Sequence, residues 1–485
     1  MLKTKKYFLS FLILILVILT SIAYLGKINQ NLFIQKLDYR SDLVLSPANK
    51  QENPVIKIDA KNGTYNFLQQ YPWTTECSLK SEIFKNFDLS RVEKIDYSIP
   101  AEPDTHQFRI TRAVLVYFPI EQVQNFHHEF RWLYRSWIEM QKHEPKKWRT
   151  DLVVFVRNEQ QFFSNSFFTK LNCSFWHKRT SPKDKPMCVL INYEAIRARK
   201  LASNDINFSS NNQLYNFILR KINIFDDSDT NLNVFYHFLK NRLSNYGYVD
   251  SILMAFDGYK YFQAAGYDYL IRSDMDVFLT PLFAKWLPKH CNDFYVGRGG
   301  YSNEFNTNRL ARIANNLGLE YASSTNLGST WYSTPNQFRL VSYLTLFGMA
   351  YLSNEEFAPP ERAGKLGVQL WPDWHYGVLL LYGQNLLMNH LIKTKQLNIV
   401  KLIDYLDYPA HYSTDVNKII HIHVFHGSDM FSKFEFKAGK YDNISNNIGN
   451  PNTAKFYALK MALEGKKLSP NELLSLLETQ SSLKD

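Results

Sequence analysis

Cysteine is scarce in this chain, with four among 485 residues and no CxxC pair, so a structural zinc site built from cysteine pairs is excluded. The GxGxxG of a dinucleotide-binding turn is also missing: Gly297-Arg298-Gly299-Gly300 follows an apolar pattern at Phe294-Tyr295-Val296 but reads as a turn. His127-His128-Glu129 lacks the HExxH spacing of a zinc protease and reads as a solvated helix face. No internal repeat or long low-complexity tract is present. The net charge is +11, but the basic residues are scattered rather than striped with aromatics. That balance suits an anionic substrate or a membrane surface and gives no indication of nucleic acid as a partner.

Charge itself is missing from Tyr7 to Leu25, a stretch long enough to cross a bilayer as a helix. Lys3, Lys5 and Lys6 precede it, and cytoplasmic flanks carry the excess of Lys and Arg. The expectation is a single-pass type II protein: a cytoplasmic tail over 1–6, a signal-anchor over 7–25, and the remainder in the lumen of the Golgi or ER. A cleaved signal peptide shares the basic start and apolar core, but this core is longer than usual and Leu25-Gly26-Lys27 is a poor cleavage site. Sequons at Asn62, Asn172, Asn207 and Asn443 agree with a secretory compartment. All four cysteines (Cys77, Cys173, Cys188, Cys291) lie beyond the anchor, which permits two disulfides, with Cys173–Cys188 the favoured local pair.

Residues 26–107 show no sustained periodicity and read as a luminal stem with an N-terminal extension. The pattern then changes. Arg112–Phe118, Leu152–Val156, Met187–Ile191 and Tyr267–Arg272 are apolar runs of strand length. Between them, Val123–Gln141, about 231–246 and about 251–265 carry apolar residues at helical spacing, with Glu121, Gln124, His128, Arg131 and Arg135 mostly on the far face of the first. Such alternation predicts an α/β domain, a mostly parallel sheet flanked by helices, with ligands beyond the C-terminal strand ends. The catalytic domain is expected over 108–440 and a C-terminal helical tail over 441–485.

At the C-terminal end of the last of these strands stands Arg272-Ser273-Asp274-Met275-Asp276-Val277-Phe278. Asp274 and Asp276 are two apart, so in extended chain both carboxylates lie on one side while Met275 turns inward. Two hard oxygen ligands at a strand end suit Mg²⁺ or Mn²⁺ together with the phosphate oxygens of a substrate. In this context the segment resembles the DxD of GT-A glycosyltransferases. The resemblance implies a GT-A-like, Rossmann-like single domain, a Mn²⁺ (or Mg²⁺) cofactor, a UDP- or GDP-sugar donor, and a glycan, protein or lipid acceptor. A phosphatase of the haloacid-dehalogenase kind also begins with Asp-x-Asp after an apolar strand, but it places Thr or Val where this chain has Phe278. A catalytically inactive glycan-binding domain is the third reading.

Further segments extend the resemblance. Asn326-Leu327-Gly328-Ser329-Thr330 through Pro335 is similar to the GT-A segment beneath the donor sugar, which makes Asn326 and Gly328 donor-binding candidates; a plain turn glycine fits Gly328 equally. Trp371-Pro372-Asp373-Trp374 opens a helical pattern, where Asp373 is either a helix-end carboxylate or the acceptor-facing general base. In Ile419-Ile420-His421-Ile422-His423-Val424-Phe425-His426-Gly427, His421 and His423 share one strand face. Many GT-A enzymes complete the metal site with a C-terminal His, then Gly, then a Lys that meets the diphosphate. That pattern implies His423 or His426 as the metal ligand and Lys433 as the donor-binding lysine. A zinc site of His421, His423 and His426 is the alternative for these residues.

Overall fold

The computed structural model describes residues 110–156, 167–176, 185–203, 206–288, 293–362, 374–425, 431–444 and 449–482. The expected anchor and stem, Asn62, Cys77, Cys291, Asp373 and His426 lie outside the described residues. Among those that are described, no helix is long and apolar enough to cross a membrane.

Among the described residues eleven strands are formed: β1 (Ile110–Tyr117), β2 (Trp148–Val156), β3 (Cys173–Phe175), β4 (Cys188–Asn192), β5 (Tyr269–Arg272), β6 (Val277–Leu279), β7 (Asp293–Arg298), β8 (Leu327–Ser333), β9 (Asn398–Lys401), β10 (Tyr408–Pro409) and β11 (His421–His423). Eight build one sheet in the order β3-β4-β2-β1-β5-β8-β7-β9, and β10-β11-β6 form a second, smaller one. In the large sheet only β8 runs against its neighbours. The protein is thus a mixed α/β fold on a large, mostly parallel sheet.

Both faces of that sheet are covered, which is why β1 and β2 carry continuous apolar runs over Ala113–Tyr117 and Leu152–Val156. Ala113, Leu115, Val153 and Phe155 belong to one hydrophobic core, and Val114, Val116, Leu152 and Val154 to the other. The helices that cover them include α1 (Val123–Gln141), α2 (Asn211–Lys221), α3 (Asn231–Leu243), α4 (Asp250–Asp257), α5 (Tyr259–Ala265), α6 (Pro281–Lys285), α7 (Glu304–Asn316), α8 (Pro335–Glu355), α9 (Leu379–Lys393), α10 (Lys433–Lys437), α11 (Ala454–Lys467) and α12 (Pro470–Ser482). α8 starts where the chain leaves β8, with a capping box between Thr334 and Gln337 and Pro335 in its first turn.

Several elements differ from the sequence pattern. The helix expected over 251–265 is two, α4 and α5, divided at Gly258. β2 begins at Trp148, so Arg149, Thr150 and Asp151 are buried within a strand. Thr150 Oγ1 accepts from Arg112 Nε at 3.0 Å, and Asp151 accepts from Tyr267 Oη at 2.8 Å and from the Met187 amide at 3.0 Å. The polar face expected on α1 is partly interior: Arg135 donates to Glu139 and to Glu464 of α11, both at 2.8 Å. Glu129 is 3% exposed and takes Lys437 of α10 at 2.6 Å, so the His-His-Glu run does not present a solvated face throughout. Gly297 and Arg298, expected in a turn, belong to β7, with a register irregularity between Val296 and Arg298.

Cys173 and Cys188 form the disulfide expected for them, and they are register partners on β3 and β4. Asn172, Asn207 and Asn443 are exposed.

Candidate metal centre

Asp274-Met275-Asp276 is the passage between the two sheets. The chain leaves the large sheet at Arg272, the C-terminal end of β5, and enters the small one at Val277. Met275 is buried as its spacing requires, and its carbonyl accepts from Trp132 Nε1 of α1 at 3.0 Å. Asp276 is largely buried, whereas the Asp274 side chain is 37% exposed, so the site opens on the Asp274 side.

β11 brings the third group. It pairs antiparallel with β6, setting His423 opposite Val277, and the Val424 amide donates to the Asp276 carbonyl at 2.9 Å. One ligand atom from each of Asp274, Asp276 and His423 then lies within 4.8 Å of the others, an arrangement that can hold a metal ion. His423 Nε2 is 3.4 Å from Asp276 Oδ1.

Each group is held from behind. Asp274 Oδ1 accepts from the fully buried Arg272 guanidinium at 3.3 Å, and its Oδ2 accepts from Ser329 Oγ at 3.1 Å. Asp276 Oδ2 pairs with Lys433 Nζ at 2.7 Å, with Lys433 opening the short helix α10. His423 Nδ1 meets Asp407 Oδ1 at 3.1 Å. Burial alone would raise the Asp276 carboxyl, but His423 and Lys433 outweigh it and hold that carboxyl well below the usual range. Burial alone would likewise lower His423, and Asp276 with Asp407 instead push it well above its ordinary value. The two acidic neighbours therefore favour a positive charge at this imidazole's position.

His421, on the same face of β11, does not join the cluster. Its Nδ1 accepts from the Asp407 amide at 3.3 Å, which leaves Nε2–H to donate to Ser273 Oγ at 2.8 Å; Ser273 Oγ in turn donates to the Asp274 carbonyl at 3.0 Å. With both nitrogens so engaged, His421 buttresses the DxD backbone rather than offering a lone pair. Desolvation pushes its pKa down to about 4, against the pull of Asp407, so the ring is neutral.

Of the donor-binding candidates, Lys433 sits at the cluster. Asn326, in the left-handed region at φ +52°, clamps two loops: its amide donates to Ser302 Oγ, its Oδ1 accepts from the Ser302 amide, and its carbonyl accepts from the Gly299 amide, each at 2.9 Å. Gly328 lies in β8 directly against β7, where an added Cβ would stand 2.4 Å from the Gly297 carbonyl carbon. The close approach made there is between two backbones.

Two residues escaped the sequence pattern. Arg272 reads as the polar end of a strand, and Asp407 lies in Tyr405-Leu406-Asp407-Tyr408-Pro409 with no motif around it. Asp407 is fully buried at φ +53°, and its carboxylate also takes Thr330 Oγ1 at 2.5 Å and the Thr330 amide at 3.2 Å. A carboxylate behind a His is the usual outer shell of a metal ligand, but only the tertiary fold brings the two together.

No curated protein sequence matches the chain. A family model described as a domain of unknown function, DUF7164, matches residues 106–485, and the chain belongs to that family.

Proposed function

We propose that this chain is a divalent-metal-dependent glycosyltransferase of the GT-A kind, moving a sugar from a UDP- or GDP-sugar to a glycan, protein or lipid acceptor. The observation that carries the reading is the meeting of Asp274 and Asp276, at the C-terminal end of β5, with His423 from β11. Ligand sites of open α/β sheets lie at that edge. Two carboxylates and one imidazole are a donor set that fits Mn²⁺, with Mg²⁺ the harder alternative. The fit is supported by what already meets the Asp276 carboxylate, the Lys433 ammonium at 2.7 Å and the His423 Nε2 at 3.4 Å. When bound, the ion would act as a Lewis acid on the diphosphate leaving group.

The chain's own residues bind and orient. Asp274 and Asp276 hold the ion, His423 completes the set, and Arg272 with Ser329 fix the Asp274 carboxylate. Lys433 is placed to exchange part of its bond to Asp276 for a phosphate oxygen. Asn326 shapes the loop over the donor by tying Ser302 and Gly299 in place. Asp373 is assigned to the acceptor side as general base on its sequence context, and His426 remains a second candidate ligand. The uncharged stretch over 7–25 supports a luminal domain behind a type II anchor in the Golgi or ER.

Calorimetry of a nucleotide-sugar panel, with and without Mn²⁺, tests this on the purified chain and on Asp274→Ala with Asp276→Ala. The expected result is donor binding that requires the metal and disappears in the variant. Donor binding indifferent to both would overturn the assignment.

A further inference from the structure

Asp407 is the buried group whose placement a purely structural role leaves unexplained. It is a carboxylate with no exposed surface, on a non-glycine residue in the left-handed region. Burying a carboxylate is costly unless a positive charge faces it. Thr330 gives it a hydroxyl and an amide, both neutral. His421 turns a lone pair, not a proton, to the Asp407 backbone. The imidazole of His423, whose Nδ1 lies 3.1 Å away, is the group that faces it from the metal cluster.

The surroundings fix the carboxylate in the place this contact needs. A Cβ on Gly297 would stand 2.0 Å from Asp407 Oδ2, so the carboxylate occupies the volume that any other residue at 297 would fill. Gly297 can come that close because β7 is irregular there and Gly328 on β8 lacks a side chain as well. The result is a slot between β7, β8 and β11 that points Asp407 Oδ1 at His423 Nδ1.

We propose that Asp407 is the positioning residue of the metal centre: it accepts a hydrogen bond from the Nδ1–H of His423, fixes the tautomer that leaves the Nε2 lone pair toward Asp274 and Asp276, and balances the charge the ring acquires as a ligand. The inference rests on the metal-site reading given above. It adds that His423 binds through Nε2 and that the ligand set works only with Asp407 behind it.

The test is Mn²⁺ titration by calorimetry of the full chain, of Asp407→Asn and of Thr330→Val, with Co²⁺ substitution to read the ligand field and His423→Gln as the benchmark. Asp407→Asn keeps the shape and removes the charge. Its Mn²⁺ affinity is expected to fall about 10- to 100-fold, and its Co²⁺ visible spectrum to move toward that of His423→Gln. Thr330→Val, which loosens Asp407 and leaves every ligand in place, is expected to weaken Mn²⁺ by a smaller factor, about three- to tenfold. A structural role alone would lower the melting temperature while leaving the Co²⁺ spectrum and the Mn²⁺ affinity at their original values. That result in folded Asp407→Asn, or in Thr330→Val if the first variant does not fold, overturns the proposal. If the unaltered chain binds no Mn²⁺, the metal-site reading falls and takes this one with it; if it binds and the variants bind equally, only the role of Asp407 falls.

Discussion

Lys433 Nζ lies 2.7 Å from Asp276 Oδ2, so an ammonium and a metal ion would share one carboxylate. The two cations repel. Replacing Lys433 by Met should therefore strengthen Mn²⁺ binding by roughly three- to tenfold, about 1 kcal/mol. The same change removes a phosphate partner, so binding of a nucleoside diphosphate in saturating Mn²⁺ should weaken by about tenfold or more. Two calorimetric titrations check the opposed signs. A loss of Mn²⁺ affinity in Lys433→Met would mean that the lysine supports the site rather than competing in it.

Gly297 and Gly328 face each other across β7 and β8, and their substitutions should fail for different reasons. A Cβ at 328 meets the Gly297 backbone at 2.4 Å, where nothing can rotate away, so Gly328→Ala should lose at least the 1–3 kcal/mol typical of overpacking. A Cβ at 297 meets the Asp407 side chain. Gly297→Ala should cost a similar amount, on the order of 1–3 kcal/mol, but combining it with Asp407→Ala should recover part of the loss. Urea denaturation of the two single variants and the double variant measures the coupling. Strict additivity would show that the slot does not couple these residues.

What was legible in the sequence follows from local physics. β1 and α1 could be read because apolar runs and helical spacing report burial directly, and the ends of α1 fall at Val123 and Gln141 as expected. The DxD could be read because a strand end and a two-residue spacing are local. The start of β2 could not, because Arg149, Thr150 and Asp151 are hidden by partners distant in sequence, including Tyr267, whose hydroxyl donates to Asp151 at 2.8 Å. Arg135 and Glu129 misled for the same reason: a charged residue is assigned to solvent until a second helix covers it. Asp407 gave no signal, since its meaning depends on β10 and β11 lying beside Thr330, 77 residues away in sequence.

The disulfide closes a sequence separation of 15 residues and fastens β3, a three-residue strand at the edge of the large sheet, to β4. A loop of that size corresponds to roughly 3 kcal/mol of unfolded-chain entropy, which sets the upper bound for Cys173→Ser with Cys188→Ser. Because β4 is the one strand paired with β3 among the described residues, part of the loss should appear as local opening. Amide exchange at Ser174 and Phe175 should accelerate in the double variant by a larger factor than exchange in β1. Uniform acceleration in both strands would show that the bridge stabilises the whole domain.

The metal-free protein should lose stability on both sides of neutrality, through different histidines. His421 is held neutral by burial, its pKa down to about 4 from 6.5, so the unfolded chain binds its proton first as the pH falls. Stability is then lost progressively from about pH 6.5 to about pH 4, by up to roughly 3 kcal/mol from this group. His128, half-buried and also down to about 4, adds to the same limb, while Glu129, raised by burial and by Asp276, opposes it at the acid end. Asp276 and Asp407 are lowered, so their contribution is retained until the pH drops below the ordinary carboxylate range. His423 has the opposite sign: raised by Asp276 and Asp407, it stabilises fully below about pH 6.5, and that contribution fades as the pH rises through its folded value. Denaturation free energies in EDTA across pH 4–9 check both limbs. His421→Asn should flatten the acid one and His423→Gln the alkaline one, and Mn²⁺ should oppose the alkaline loss because it binds the ring once the proton leaves. An acid limb unchanged in His421→Asn would mean that this histidine is already protonated in the folded protein, and its hydrogen bond to the Asp407 amide would have to be reassigned.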